Sequence, residues 1–374
     1  MAYSACAACA APAPPPVSKT NNRIPFLDTL RGFAALWVVL FHCAEGKHLP
    51  VLTGMLPSWL VDAVFHAGHL GVPIFFVLSG FVLARISAGK IDSGRAAARF
   101  IAQRLVRLSP PYYVAVAIGA ALMLAKSHAE GGVAPQVTQV IAHLAYSQDI
   151  LGFDPLSTVF WTLAMEVQFY LAFALLLWAA HGTARRAEVA DLNAWFVGVA
   201  AAIALLWPLQ VVTTAFWRGG FIGLWYSFLC GSMVALARGR LQGRGIAALA
   251  HVAAVGVVGV CMGDAFALAA AVAALFIFAA ERWAGLARAA DLAPLTALGL
   301  VSYSLYLFHN PVTGVTARIV RRFMPPGLAC ELVLLGCVLT TCIAFAAVMY
   351  VLVEKPAMRW SHRFARRNDA ARPA

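Results

Sequence analysis

Charge is scarce in this chain. Of its 374 residues only 12% are Asp, Glu, Lys or Arg, while 62% are hydrophobic. A soluble domain carries about 25% charged residues, so a water-facing globular surface is excluded. Acids are scarcer than bases, 16 against 28, which leaves a net charge of +12. No basic run interleaved with stacking aromatics accompanies this excess, which argues against nucleic acid as a partner. Alternating apolar and polar residues are also missing from the apolar runs, which excludes a membrane β-barrel. Eight cysteines are present, of which Cys6 and Cys9 form a lone CxxC. No second CxxC or nearby His completes a metal set, so the cysteines read as buried thiols and no metal is expected. Residues 1–22 are rich in Ala and Pro and lack the positive start and apolar core of a signal peptide. They read as a disordered cytoplasmic leader.

What the chain has instead is apolar runs of membrane-crossing length. Ten candidate spans lie at about 26–44, 68–86, 108–126, 157–180, 193–213, 218–237, 246–262, 264–281, 295–316 and 327–353. The seventh and eighth are separated only by Gly263 and Asp264. The expected fold is an all-α, polytopic helix bundle with residues 23–358 as its membrane domain and 359–374 as a basic tail. With the N-terminus inside, 21 Lys and Arg fall on the cytoplasmic side and six outside, with Arg31 within a span. That bias predicts both termini in the cytoplasm. Arg318, Arg321 and Arg322 break the pattern, and an external role such as meeting an anionic acceptor would account for them. Two loops stand out. Residues 87–107 are strongly basic, and residues 127–156, which hold His143, Asp149 and Asp154, are a candidate lid or acceptor-binding segment.

Several spans carry polar groups that hydrocarbon disfavours. The first, LDTLRGFAALWVVLFH, has Arg31 and His42 eleven residues apart. At 100° per residue they differ by about 20° of rotation and roughly 16 Å of rise, so they share one helix face. The bland reading is a snorkelling Arg and an interfacial His. The functional one is a polar stripe facing a path through the bundle. The fourth span, FWTLAMEVQFYLAF, places Glu166 in the outer half of the bilayer, and the ninth, LGLVSYSLYLFHNPV, places His309 there. His42, Glu166 and His309 are thus expected at one level. A histidine opposite a carboxylate suits proton transfer. Zinc binding is disfavoured because no HExxH-like spacing fixes ligands. Ser79 in the second span lacks a GxSxG elbow. Arg104 and Arg107, at i and i+3, form a fork suited to phosphate.

Together these segments, with GVPIFFVLSGF, QRLVRLSPPYY and WTLAMEVQFY, resemble the membrane-bound acyltransferase-3 family of O-acyltransferases, which modify bacterial surface glycans and other acceptors. The resemblance implies ten core helices in the bacterial inner membrane. It implies a cytoplasmic acyl-CoA donor, with acetyl the expected group, and a carbohydrate acceptor at the outer face, such as exopolysaccharide or lipopolysaccharide O-chain. The family's Arg-x10-His pattern falls on Arg31 and His42, and its RxxR on Arg104 and Arg107. Its paired glutamates fall on Glu166 and Val167, so the second is lost. The expected catalytic set is His42, Glu166 and Arg31, with Glu166 orienting His42. Arg104, Arg107 and Arg85 are expected to hold acyl-CoA, and His309, Ser79, Trp161 and Tyr303 the acceptor or acyl group. A proton-coupled transporter is the rival reading, since it too would line a path with His and Glu.

Overall fold

The computed structural model describes residues 24–87, 90–187, 192–212, 219–237 and 243–369. The expected leader, with Cys6 and Cys9, and the end of the basic tail lie outside them. The described residues form helices and connections with no strand. In chain order the helices are α1 (Pro25–Glu45), α2 (Pro50–Met55), α3 (Ser58–Val64), α4 (Gly71–Ser87), α5 (Gly94–Glu130), α6 (Val137–Leu144), α7 (Phe160–Ala187) and α8 (Leu192–Ala204). They continue with α9 (Trp225–Ala237), α10 (Arg244–Met262), α11 (Ala265–Arg282), α12 (Ala284–Ala289), α13 (Ala293–Leu300), α14 (Ser302–Phe323), α15 (Leu328–Met349) and α16 (Lys355–Asp369).

Among the described residues, seven helical stretches are long and apolar enough to cross a membrane. Three expected spans fall short of that. α8 and α9 have only 13 residues each, and α14 is diluted by the Ser, Thr, His, Asn and Arg it carries. The ninth expected span is also divided, with α13 ending at Leu300 and α14 starting at Ser302. Seven apolar helices make this a multi-pass membrane protein.

The basic segment 87–107 is mostly helix rather than loop. Ser93 caps α5 by accepting from the Ala96 N–H at 3.2 Å, and the helix runs 37 residues through Pro110 and Pro111. At 1.5 Å per residue it is about 55 Å long, well beyond a hydrocarbon core of about 30 Å. Arg104 and Arg107 therefore stand on a rigid helix. Residues 127–156 pack back onto the bundle. The His143 side chain is fully buried, with Nδ1 donating to the Gln139 carbonyl at 2.8 Å and Nε2 accepting from the Leu156 N–H at 3.1 Å. Burial holds its pKa below the ordinary histidine value. Tyr146 reaches inward and donates to Ser109 Oγ at 2.9 Å, which fastens the segment to α5.

Backbones approach closely at two crossings that frame the interior. Gly80 of α4 and Gly231 of α9 face each other, and a Cβ on either would lie 1.9 Å from a backbone oxygen of the other helix. Gly32 of α1 and Gly299 of α13 do the same at 2.1 and 2.0 Å. Small residues at such contacts let membrane helices pack by backbone contact. Gly80→Ala is expected to force α4 and α9 apart and cost about 1–3 kcal/mol. A lowered melting midpoint in detergent would register this, and an unchanged midpoint would mean that the crossing is looser than its geometry.

Candidate active site

A cavity of about 720 Å³ opens at the end of the bundle where α1 begins. Arg31 and Asp28 of α1, Arg85 of α4, and Arg104 and Arg107 of α5 line it. Ser79, Glu166 and Tyr303 lie further along its wall, and Thr162 and Tyr306 also border it. Two of its four arginines are paired with carboxylates. Arg31 Nη1 donates to Asp28 Oδ1 at 3.1 Å, and Arg85 Nη1 reaches both carboxylate oxygens of Glu281 at 2.9 and 3.0 Å. Arg104 and Arg107 have no ion-pair partner among the described residues; the Arg104 guanidinium instead lies 5.6 Å from the Phe100 ring centre. Two guanidiniums one turn apart, each without a direct ion pair, suit a phosphate-bearing ligand.

Glu166 does not meet His42. It accepts from Ser79 Oγ at 2.5 Å and from the Tyr170 hydroxyl. The expected common level fails for a simple reason. Thr162 of α7 meets Tyr306 of α14, hydroxyl to hydroxyl, at 2.8 Å. The two helices run in opposite directions. Glu166 therefore lies a turn to one side of that contact and His309 nearly a turn to the other, about 10 Å apart in depth.

His42 is paired by its own helix. Its Nδ1 lies 2.7 Å from Glu45 Oε2, one turn further along α1. A carboxylate only accepts, so Nδ1 carries the proton and Nε2 keeps a lone pair. The His42 ring packs against His309, with centroids 5.1 Å apart. His309 is 1% exposed, and its Nδ1 lies 2.8 Å from the Tyr306 carbonyl and 3.2 Å from that of Leu305. Carbonyls also only accept, so His309 Nε2 is a second lone pair. That atom is buried and has no hydrogen-bond partner. The two imidazoles thus pack together, and the unpartnered His309 nitrogen beside His42 suits a hydrogen-bond donor.

The cavity stops one layer short of this pair. Tyr306 borders the cavity and its ring centre is 6.0 Å from that of His309, with Phe75 packed edge-on at 5.5 Å. Arg31 lines the cavity while His42 lies beyond that layer. Tyr303 lines the cavity with its hydroxyl committed to the Leu108 carbonyl at 2.8 Å. Trp161 is packed at the edge of the apolar core, outside the cavity lining.

Two acids at these sites carry no mark in the motifs. Glu45 is one, although its i+3 spacing from His42 was a usable signal. Glu354 is the other. It is 4% exposed, borders the cavity and accepts from Ser304 Oγ at 2.6 Å. It stands just past the expected tenth span and just before Lys355 and Pro356. A π-turn at Tyr350–Glu354 carries the helix on into α16 and turns the carboxylate inward.

The acyltransferase-3 family model, described as an acyltransferase domain, matches residues 24–349. The chain belongs to this family. Its membership makes it an acyltransferase. A protein named as a membrane-bound transacylase (BcsY) from Komagataeibacter xylinus is 29% identical over 94% of this acyltransferase and 88% of its own length. Nodulation protein 10 of Rhizobium leguminosarum bv. viciae is 32% identical over 45% of this chain and 49% of its own. A protein named as an O-acetyltransferase in Staphylococcus aureus (strain COL) is 29% identical over 42% of this chain. That match spans only 25% of the staphylococcal protein. No solved structure matches the acyltransferase.

Proposed function

We propose that this acyltransferase moves an acyl group, acetyl in the first instance, from cytoplasmic acyl-CoA to a hydroxyl of a carbohydrate acceptor at the outer face of a bacterial inner membrane. The observation that carries this is the cavity leading from Arg104 and Arg107 to Tyr306, one layer from the His42–His309 pair. The excess of basic residues around the cavity mouth supports its facing the cytoplasm. The named O-acetyltransferase relative supports a hydroxyl acceptor.

In this reading Arg104 and Arg107 hold the phosphates of the donor, with Arg31 further in. The pantetheine arm extends past Ser79 and Tyr303, and the thioester reaches the histidines past the Tyr306 ring. His42 Nε2 takes the proton of the acceptor hydroxyl. The freed oxygen attacks the thioester carbonyl, the carbon–sulfur bond breaks, and the proton passes to the departing thiolate. His309 Nε2 accepts a second hydrogen bond from the acceptor and orients it. Glu45 holds His42 in the base-competent tautomer. Glu166 balances Arg104 and sets Ser79 and Tyr170.

Proteoliposomes given acetyl-CoA labelled in the acetyl group test the reaction directly. Transfer of label to added glycan supports it. Donor consumption without glycan labelling would shift the acceptor class, and no consumption would remove acyl-CoA as donor. Glu166→Gln keeps the shape but removes a buried charge, and is expected to lower kcat/KM roughly tenfold, at the low end for a charged hydrogen bond. Unchanged turnover in that variant would make Glu166 part of the architecture only.

A further inference from the structure

The three arginines that break the charge pattern converge on a second hollow. It has a volume of about 530 Å³ and is lined by His48, Gly314, Ala317, Arg318, Arg321 and Arg322. It lies at the end of the bundle opposite Arg104 and Arg107, where α1 has ended and α14 approaches its own end. These are the two helices that bring His42 and His309 together. On α14 the hollow begins at Gly314, five residues beyond His309, or about 8 Å along the axis.

The arginines are unequal. Arg318 is neutralised by Glu130 at 2.9 Å. Arg321 donates one Nη2 to the carbonyls of Lys47 at 3.2 Å and His48 at 3.4 Å, which fixes its side chain against the loop leaving α1 and leaves other donors of the guanidinium unused. Arg322 is exposed and has no ion-pair partner among the described residues. Gly314 has open space where a side chain would stand. The ring Nδ1 of His48 is buried in the wall with no partner. Burial and Arg321 together hold His48 below the ordinary histidine pKa, so the positive charge here belongs to the arginines. An anchored guanidinium at Arg321, a free one at Arg322 and an open floor fit an anion that arrives from outside.

We propose that this hollow is an acceptor subsite that recognises a carboxylate or phosphate group on a glycan, and that the acyltransferase therefore works on an anionic carbohydrate. This rests on the reading of a carbohydrate acceptor at this end of the bundle. Binding is measured by fluorescence anisotropy with labelled trigalacturonate and maltotriose, on protein in phosphatidylcholine nanodiscs. Trigalacturonate is expected to bind at least severalfold tighter than maltotriose. Arg322→Gln should weaken it about three- to fivefold, the upper range for an exposed charge pair, with no effect on maltotriose. Arg318→Gln combined with Arg322→Gln should weaken it further, and 0.5 M salt should erase the difference between the two trimers. Equal affinity for both trimers overturns the proposal, as does wild-type affinity in the arginine variants. Phosphatidylglycerol nanodiscs form the second arm. Complete displacement of trigalacturonate there, relieved by Arg322→Gln, would assign the hollow to lipid headgroups and overturn it as well. The measurement needs no turnover. Absent binding with intact label transfer defeats only this subsite, and Arg322-dependent binding without transfer defeats only the proposed reaction.

Discussion

Alanine at position 42 is expected to lower acyl transfer by about 10²- to 10⁴-fold, the range a positioned general base supplies. Donor binding should be unchanged, because His42 lies beyond the Tyr306 layer that closes the arginine-lined cavity. The contribution is large because the imidazole is already prepared. Its Nδ1 is tied to Glu45, its side chain is 10% exposed, and its ring packs against His309, whose buried Nε2 has no partner. Kinetics with labelled acetyl-CoA, together with equilibrium binding of desulfo-CoA, separate the two terms. A fall in kcat with unaltered binding is the expected outcome; a variant that transfers label at the wild-type rate would leave the two histidines as packing residues. Glu45→Gln gives the graded counterpart. The Glu45 carboxylate is 53% exposed, so solvent screens it and the loss should be about fivefold in kcat. An amide can also offer its NH₂ to Nδ1 and select the wrong tautomer. A larger fall than fivefold would point to that inversion.

The chain announced its class through what hydrocarbon tolerates. Continuous apolar runs placed α1, α4, α7, α10, α11 and α15 close to their observed positions, because each must satisfy its backbone internally and cover its length with apolar side chains. Errors arose where that rule is relaxed. The basic start of α5 reads as a loop, since helices that emerge from the bilayer need no apolar residues. α14 looked continuous with α13 because hydropathy does not register the break around Val301. At the site, Arg31, Arg104 and Arg107 came into view through spacing, and the cavity collects all three. The partner of His42 did not. Depth estimated from span ends put Glu166 beside it, but the Thr162–Tyr306 contact sets the relative height of α7 and α14, and no local pattern encodes that register. Glu45 is closer in sequence, but at the solvent end of α1 an acid costs nothing and carries no signal.

Replacing Arg104 and Arg107 together by glutamine is expected to raise the KM for acetyl-CoA by about 10²-fold or more while moving kcat little. A hydrogen bond from a charged donor is worth about 1.5–3 kcal/mol when the partner is also charged, and each 1.4 kcal/mol is a factor of ten. Either single variant should therefore raise KM about tenfold, and the two losses need not add, since the groups sit one turn apart on one helix. kcat should hold because phosphates bound at the cavity mouth are remote from the scissile bond, and their contacts are made equally in the ground and transition states. Instability is not the expected explanation of any loss. Arg31, Arg104 and Arg107 share the cavity with Glu166 and Glu354, so relieved repulsion offsets lost attraction, and the melting midpoint in detergent should change little. Lysine tests the geometry in turn. It restores the charge but not the two-pronged donor, so Arg104→Lys should recover only part of the KM. A double glutamine variant with wild-type KM and lowered kcat would reverse the assignment. It would move the arginines from holding the donor to stabilising charge in the transition state, and would require the thioester to lie at the arginine end of the cavity rather than beneath His42.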